Sequence, residues 1–362
     1  MDSKDSAPGP DGIPYIAYRC LCDLASIVLR NVLLALAAGA SPPPGFNDGN
    51  LFLIPKKDTL LPTDTRPIAV NNCDNRIIAR VASLAITPSL KDYIHPEQKG
   101  FIPGRLGSNH IESLTEEFYS QSQATNPGNF LLSIDSRKAF DSISVPYLHA
   151  VIDKIGLPSW LGNLVKGLYH LARVTPVFGS RPTGVWIDLR RGVRQGCPLS
   201  PLLFAICMDP LVERLRELKD VGTFAFADDL AFTADSMSAF IPVMLLIDAF
   251  TEASGLGINK DKTVLVFVDS RAAAEEWVKT SSPWDDLQVR DRCVYLGVLI
   301  GSTVTTVEVF SVAMGKLRDR ARSFYPVSRS FSVQHRIHLI HSPPSVLPHA
   351  VLHSPRGLSP RG

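Results

Sequence analysis

Short apolar runs interrupted by single polar clusters are the clearest pattern along this chain. Residues 224–233 read Phe-Ala-Phe-Ala-Asp-Asp-Leu-Ala-Phe-Thr, so two adjacent acids separate two apolar runs. This pattern predicts a β-hairpin with both carboxylates, Asp228 and Asp229, at its tip. Because two unpaired acids this close repel each other, the pair favours a divalent-cation site, since hard cations prefer oxygen ligands. A solvated turn is the alternative interpretation of the pair taken alone.

A second apolar run, 130–134, predicts a buried strand that ends at Asp135. The residues after it, 136–143, favour a helical turn. A carboxylate at the end of a strand is well placed to meet the hairpin tip of a neighbouring strand, although Asp135 could equally cap the following turn. If the acids form one metal site, Asp135 and Asp228 must converge despite their separation in sequence.

A glycine-containing loop lies between the two acidic elements. It reads Gly-Val-Arg-Gln-Gly-Cys-Pro-Leu-Ser-Pro-Leu-Leu-Phe over 192–204. The two prolines suit the first turn of a helix or the segment just before it, and helical spacing of apolar residues follows over 202–218. Such a loop either contacts a nucleotide or forms only a tight turn, and the residues themselves leave both possibilities open.

Taken in this order, the three segments resemble reverse transcriptases, and in particular those of non-LTR (LINE-like) retrotransposons. The resemblance extends over residues 7–301, most of the chain. Six further blocks match the family in order and spacing: Ala7–Ile13, Leu53–Asp58, Thr65–Val70, His95–Arg105, Ser254–Thr263 and Tyr295–Gly301. A chance match of all these blocks is not expected, so the resemblance is specific.

The resemblance implies an α+β fold of the right-hand polymerase type. We expect fingers with some palm elements at 1–128, a palm with an antiparallel sheet backed by helices at 129–301, and a truncated thumb at 302–340. The tail at 341–362 is rich in Pro, Ser and His and repeats Ser-Pro-Arg-Gly, a composition typical of disorder.

The resemblance also implies an RNA-directed DNA polymerase that uses two Mg²⁺ ions, an RNA template, a DNA or RNA primer and dNTPs. Asp135, Asp228 and Asp229 would hold the metal ions. Lys262 would protonate the pyrophosphate leaving group, although Lys260 is a similar candidate two residues away.

Five further residues are implied to bind the incoming nucleotide. Lys57 and Arg66 would neutralise the triphosphate, for which a bidentate guanidinium is well suited. Phe140 would exclude the 2′-hydroxyl of a ribonucleotide, and Gln195 and Gly196 would contact the nucleotide. Each also has an ordinary structural interpretation: an exposed basic side chain, a core aromatic residue or a tight turn.

Composition fits a globular enzyme, because 362 residues at 45% hydrophobic content can bury a large core. No uninterrupted apolar run is long enough for a membrane, and no secretory signal is apparent. The six cysteines form no C-x-x-C pair, which indicates reduced thiols of an intracellular protein, nuclear or cytoplasmic. We therefore expect no membrane partner, and the sequence indicates no protein partner.

Basic residues collect near the end of the chain, although the net charge is only +2. The segment 316–336 favours the start of a thumb helix that follows phosphates or, alternatively, a basic tail. A second cluster, Arg190, Arg191 and Arg194, is predicted to face the template. A different class of function stays open: a decayed or co-opted fragment that binds nucleic acid without catalysis.

Overall fold

The computed structural model describes residues 6–56, 61, 64–120, 130–179, 181–267 and 270–324. Lys57, the predicted tail and the second half of the predicted thumb lie outside these ranges. The helices are α1 (Tyr15–Cys20), α2 (Cys22–Ala37), α3 (Cys73–Tyr93), α4 (Gly107–Ser120), α5 (Ala139–Ser142), α6 (Val145–Lys154), α7 (Ser159–Tyr169), α8 (Ser200–Arg216), α9 (Phe240–Ser254), α10 (Arg271–Thr280) and α11 (Thr306–Phe324). The strands are β1 (Asp48–Pro55), β2 (Thr65–Asn71), β3 (Phe130–Ile134), β4 (Arg173–Phe178), β5 (Arg181–Pro182), β6 (Ile187–Asp188), β7 (Gly222–Phe226), β8 (Asp229–Ala234), β9 (Val264–Phe267), β10 (Gln288–Arg290), β11 (Arg292–Tyr295) and β12 (Val298–Gly301).

A five-stranded sheet in the order β10-β9-β3-β8-β7 forms the centre of the molecule. Strand β3 pairs antiparallel with β8 on one side and with β9 on the other. The predicted antiparallel sheet is confirmed for these strands and for β7, but it is wrong for the outer pair, because β10 runs parallel to β9.

Both faces of the central sheet are buried, which explains why four of the five residues of β3 are apolar. Leu132 and Ile134 point into the main core, whereas Leu131, which precedes Leu132, belongs to a second core on the opposite face. Successive side chains of a strand point to opposite faces, so a strand covered on both sides carries apolar residues on both of them. The second core includes residues of α4 and of the β11–β12 hairpin.

A second sheet, here called the N-terminal sheet, has the order β2-β1-β4-β5, with β6 paired to β4. Strand β4 runs parallel to β1 and joins the N-terminal sheet, although its residues lie within the segment assigned to the palm. The division at residue 129 therefore does not separate the two sheets along the chain. The segment 173–188 returns to the N-terminal sheet before the chain enters the glycine loop and α8.

Helices α8 and α9 pack in the main core, where most of the apolar residues of α8 are buried. Among the described residues, one stretch, Met237–Ser254, is long and apolar enough to cross a membrane by length and composition alone. This finding differs from the expectation of no such span. Phe240, Val243, Met244 and Ile247 of this stretch are buried in the core, and a core helix passes the same test.

Helix α11 begins ten residues before the basic segment and carries its first part, Lys316 to Arg322. Its first turn is attached to the β11–β12 hairpin, because Arg292 Nη1 lies 3.1 Å from Glu308 Oε1. The first part of the basic segment, as far as residue 324, is therefore helical.

Candidate active site

The Asp-Asp pair lies on the predicted hairpin. Strands β7 and β8 are paired up to Phe226 and Asp229, which leaves Ala227 and Asp228 as the two turn residues. Ala227 has φ = 56°, a left-handed conformation that the first central residue of a two-residue hairpin turn requires and that alanine rarely adopts. Asp228 is thus at the tip of the turn, and Asp229 is the first residue of β8.

Asp135 emerges beside this hairpin. Its strand, β3, pairs with β8 as far as Ile134 opposite Leu230, so the next residue lies next to the first residue of β8. The adjoining Ser136 hydroxyl donates to the Asp228 carbonyl oxygen over 3.1 Å. Asp135 and Asp228 line one cavity of about 700 Å³. The structure therefore brings these two acids to the same cavity.

Two of the three carboxylates, those of Asp228 and Asp229, lie in an environment that disfavours their charge. Burial raises the pKa of Asp228, and the nearby charge of Asp135 raises it further. Burial first, and then the charges of Asp228 and Asp135, raise the pKa of Asp229 to about 6. An acidic cluster with this much uncompensated charge suits a divalent cation.

The described residues contain no group of three or more His, Cys, Asp or Glu side chains already arranged to hold a metal ion. This is compatible with Mg²⁺, which keeps several waters and is usually bound by one or two carboxylates together with substrate phosphates. The donor set therefore fits a metal ion whose coordination is completed by a phosphorylated substrate.

Two side chains from the segment after α9 contact Asp135. Lys262 Nζ lies 3.5 Å from Asp135 Oδ2, and the Asn259 amide donates to the same oxygen over 3.0 Å. Lys260 instead lies 2.8 Å from Asp286, so Lys262 is the lysine at the acids. Asn259, which sequence alone did not single out, also donates its backbone N–H to the Asp135 carbonyl over 2.7 Å.

Basic side chains line the same cavity from the N-terminal sheet. Arg66 lies on β2 opposite Ile54, near the end of the β1–β2 hairpin, and Lys56 follows β1. Both side chains are exposed. Lys57, the predicted partner of Arg66, is outside the described residues, whereas its neighbour Lys56, which sequence did not single out, is at the cavity.

Phe140 lines the cavity and packs against the core at the same time. Its ring stacks on Phe204 with centroids 4.7 Å apart and meets Phe101 edge to face at 5.5 Å. The two interpretations of this residue are therefore compatible: one side of a half-buried ring packs on aromatic neighbours, and the residue still borders the cavity.

Gln195 and Gly196 bring the glycine loop against β2. Gly196 has φ = 108°, and a Cβ atom there would lie 2.7 Å from the Ala69 carbonyl oxygen, so only glycine permits this approach. The Gln195 amide donates to Asp141 Oδ1 over 2.9 Å. Asp141, also not singled out from sequence, lines the cavity, and burial raises its pKa.

The predicted template-facing cluster is wrong for Arg194. This residue is buried, its guanidinium donates to the Leu168 carbonyl over 2.6 Å, and it lies over the Tyr169 ring at 5.0 Å. Arg194 therefore binds the C-terminal end of α7 and does not face an open surface, because the last carbonyls of a helix attract cations. Arg190 and Arg191 are exposed.

Comparison with known proteins agrees with this site. The profile of the reverse transcriptase (RNA-dependent DNA polymerase) family matches residues 54–300. The Pol polyprotein of the type-1 retrotransposable element R2 of Popillia japonica is 29% identical over 277 residues, which cover 73% of this chain and 38% of that protein. The Pol polyprotein of the type-2 element R2DM of Drosophila melanogaster is 28% identical over 323 residues, which cover 83% of this chain and 29% of the relative. The chain thus spans less than half the length of these relatives.

Solved structures show the same fold. The structure of telomerase from Candida albicans superposes on this chain with a TM-score of 0.51 at 15% identity. The match covers 78% of this chain and 48% of the telomerase chain. The structure of telomerase from Candida tropicalis gives a TM-score of 0.52 at 15% identity, and the match covers 76% of this chain and 47% of the telomerase chain. The α+β right-hand polymerase fold is confirmed. With acids from two adjacent strands at its centre and a family match over more than half its length, the chain belongs to the reverse transcriptase (RNA-dependent DNA polymerase) family, and its relatives are Pol proteins of non-LTR retrotransposons.

Proposed function

We propose that this chain is an RNA-directed DNA polymerase that extends a DNA or RNA primer with dNTPs on an RNA template. The observation that carries the proposal is one cavity of about 700 Å³ lined by acids of the central sheet and by cations of the β1–β2 hairpin. Asp135 and Asp228 come from the ends of β3 and of the β7–β8 hairpin, and Lys56 and Arg66 come from the end of β1 and from β2. A nucleoside triphosphate with bound cations needs this combination of charges.

We assign the cation site to Asp135, Asp228 and Asp229, and infer that it takes two Mg²⁺ ions. When bound, the ions lower the pKa of a primer 3′-hydroxyl and stabilise the charge on the leaving pyrophosphate. The raised pKa values of Asp228 and Asp229 support this assignment, because burial and the neighbouring carboxylates disfavour negative charges that a cation would stabilise.

The other residues of the cavity bind and orient the nucleotide. Arg66 offers a planar, bidentate fork to the triphosphate, and Lys56 adds a flexible charge, with Lys57 next to it in sequence. Gln195 is oriented by Asp141, and Gly196 allows the loop to approach β2. Lys262, already beside Asp135, is positioned to give a proton to the departing pyrophosphate.

The nucleic-acid partners and the location are part of the same proposal. The basic residues of α11 suit a phosphate backbone, because each neutralised phosphate releases counterions and strengthens binding. All six cysteines are free thiols in the structure, which supports an intracellular protein.

Primer extension tests the proposal directly. The purified chain would be given an RNA template with an annealed DNA primer and dNTPs, with Mg²⁺ or with EDTA. We expect Mg²⁺-dependent products, and omission of one dNTP should stop extension where the template calls for that nucleotide. A chain that binds the RNA–primer duplex but extends it with neither Mg²⁺ nor Mn²⁺ would contradict the proposal and favour the non-catalytic fragment.

A further inference from the structure

A short loop segment, 98–101, lies against the acidic hairpin from the side away from Asp135. Its first residue, Gln98, is fully buried and forms an isolated bridge with Ala225 of β7. Buried glutamine is uncommon, and its amide needs partners on both its oxygen and its nitrogen. The hydrogen-bond partners of the Gln98 side chain therefore indicate its role in the structure.

Both ends of the Gln98 amide bind the same residue, Ala227. Its Oε1 accepts the Ala227 N–H over 2.7 Å, and its Nε2 donates to the Ala227 carbonyl over 3.2 Å. Ala227 is the left-handed turn residue that directly precedes Asp228. A single side chain thus satisfies both backbone groups of the turn residue, as a neighbouring strand would.

This pairing matters because the turn places alanine in an unfavourable backbone conformation. Alanine in the left-handed region is strained, and a buried backbone N–H or C=O without a partner is costly. An amide supplies one donor and one acceptor side by side, whereas glutamate lacks the donor and methionine lacks both. Gln98 is therefore chemically matched to holding Ala227 in this conformation.

The backbone of segment 98–101, like the Gln98 side chain, lies directly against the β7–β8 hairpin. A Cβ atom on Gly100 would lie 2.2 Å from the Ala227 nitrogen, and the Lys99 N–H donates to the Ala225 carbonyl over 2.9 Å. The Gly100 N–H also donates to Gln98 Oε1, over 2.9 Å, which fixes the amide oxygen. Glycine is needed at position 100 because any side chain would displace the turn.

The segment is anchored at both ends. Arg105 donates to the Gln98 carbonyl over 2.7 Å and to three other carbonyls at the end of α3 and just beyond it, those of Lys91, Ile94 and His95. At the other end, Phe101 meets Phe140 edge to face. The segment is thus a fixed support that touches the acidic hairpin and the aromatic residue of the nucleotide cavity.

We propose that Gln98 is a positioning residue, which sets the direction of the Asp228 carboxylate by holding Ala227 in the left-handed region. The inference rests on the proposed function. The peptide groups on both sides of Asp228 are then fixed, by Gln98 at Ala227 and by Ser136 at the Asp228 carbonyl. Only the carboxylate is left to meet a cation, and small displacements of such a ligand are costly to catalysis.

The alternative is a buried polar residue that contributes only to stability. Gln98→Met separates the two, because it keeps the length of the side chain and removes both hydrogen bonds to Ala227 together with the one from Gly100. Asn47→Leu is the matched control: the Asn47 amide is also buried and binds two backbone carbonyls, those of Gly167 and His170, away from the hairpin. Ala227→Gly is the second variant, since glycine adopts the left-handed region without strain.

Single-nucleotide extension with saturating Mg²⁺ gives the first readout, corrected for the folded fraction of each protein. We expect Gln98→Met to lower kcat at least about 10-fold with KM for dNTP within about 2-fold, because the ligand geometry and not the nucleotide site has changed. Asn47→Leu should leave kcat within about 2-fold. In the Ala227→Gly background the Gln98→Met loss should be smaller, since the turn depends less on the amide. Equal kcat losses for Gln98→Met and Asn47→Leu would overturn the proposal.

Hydrogen–deuterium exchange and Mn²⁺ binding give readouts that need no activity. Peptides that contain 225–229 should exchange faster in Gln98→Met than in the parent or in Asn47→Leu, and Mn²⁺ affinity measured by electron paramagnetic resonance should fall in Gln98→Met alone. An inactive parent would refute the proposed function while these two measurements still decide on Gln98. Unchanged exchange in 225–229, or unchanged Mn²⁺ affinity, would overturn the positioning role.

Discussion

The acidic side of the cavity, formed by Asp135, Asp228 and Asp229, lies at the ends of buried strands. The basic side, formed by Lys56 and Arg66, lies at the exposed end of the β1–β2 hairpin. Asp135 and Asp229 adjoin β3 and β8, and the core around those strands is closed on both faces. Lys56 and Arg66 are exposed where β1 and β2 end. One side of the site is therefore held in place by packing and the other is solvated.

This difference follows from what each side must do. A metal ligand has to be placed within a fraction of an ångström, so its strand must be rigid even though burial raises the pKa of the carboxyl group. A triphosphate carries several charges over a larger volume, and exposed cations with freely rotating stems can follow it at little cost. The residues that would bind the metal are therefore held rigidly, and the residues that would bind the triphosphate keep their flexibility.

Changes on the basic side should affect nucleotide binding more than the fold. Arg66→Ala is expected to raise KM for dNTP by about 10- to 100-fold, because a charge-assisted, bidentate contact to the triphosphate is lost. Arg66→Lys should recover part of this loss, since it restores the charge without the fork. Steady-state primer extension at varied dNTP concentration measures both. An unchanged KM in Arg66→Ala would show that the basic side does not bind the triphosphate.

Phe140 lies between the two sides and should control sugar selection. Phe140→Val is expected to increase the ratio of ribonucleotide to deoxynucleotide incorporation about 10-fold or more, because the ring no longer collides with a 2′-hydroxyl. The fold should survive, although loss of the stacking on Phe204 will lower the melting temperature. Paired extension assays with rNTPs and dNTPs measure the ratio. A ratio equal to that of the parent would exclude Phe140 as the selecting residue.

The acidic side should be visible as a pH dependence of stability. Asp229 has a folded-state pKa of about 6, above its ordinary value of 3.8, so the folded state holds a proton over this interval that the unfolded state has lost. Stability should therefore fall as the pH rises from about 4 to about 6, by a few degrees in melting temperature, and stay lower above it.

Mg²⁺ should counteract this loss, with more stabilisation at pH 8 than at pH 5, because the cation replaces the proton. The Asp229→Asn variant serves as the control and should lose part of the pH dependence, because Asp228 and Asp141 also have raised pKa values. Thermal unfolding at several pH values with and without Mg²⁺ measures the effect. A melting temperature that rises between pH 4 and pH 6 in the absence of Mg²⁺ would contradict the origin assigned to the raised pKa.

Much of the site was predictable from sequence because its acids lie at the ends of short apolar strands. The hairpin of Asp228, the strand before Asp135 and the helix after the glycine loop all follow from local periodicity and turn chemistry. The return of β4 to the N-terminal sheet was not predictable, because strand pairing between distant segments leaves no local pattern. Arg194 was misjudged for a related reason: a basic side chain beside two exposed arginines gives no sign that it caps a helix end.

Gln98 shows the same limit most clearly. Its block was recognised, but no rule of composition or spacing links a glutamine to the backbone of a residue 129 positions away. Only the position of the positive-φ turn residue in the structure explains why an amide and a nearby glycine are required there. Side chains that support a site from a neighbouring segment are found through such contacts.

The most direct test of the account compares the parent chain with Asp228→Asn. This change keeps the shape of the side chain and removes a charge that the cation needs. Primer extension on an RNA template and binding of the same RNA–primer duplex would be measured on both proteins. We predict that Mg²⁺-dependent extension falls to background in Asp228→Asn while duplex binding stays within about 2-fold, because the phosphates are held by lysine and arginine. An active parent with an equally active Asp228→Asn variant would contradict the assigned metal site.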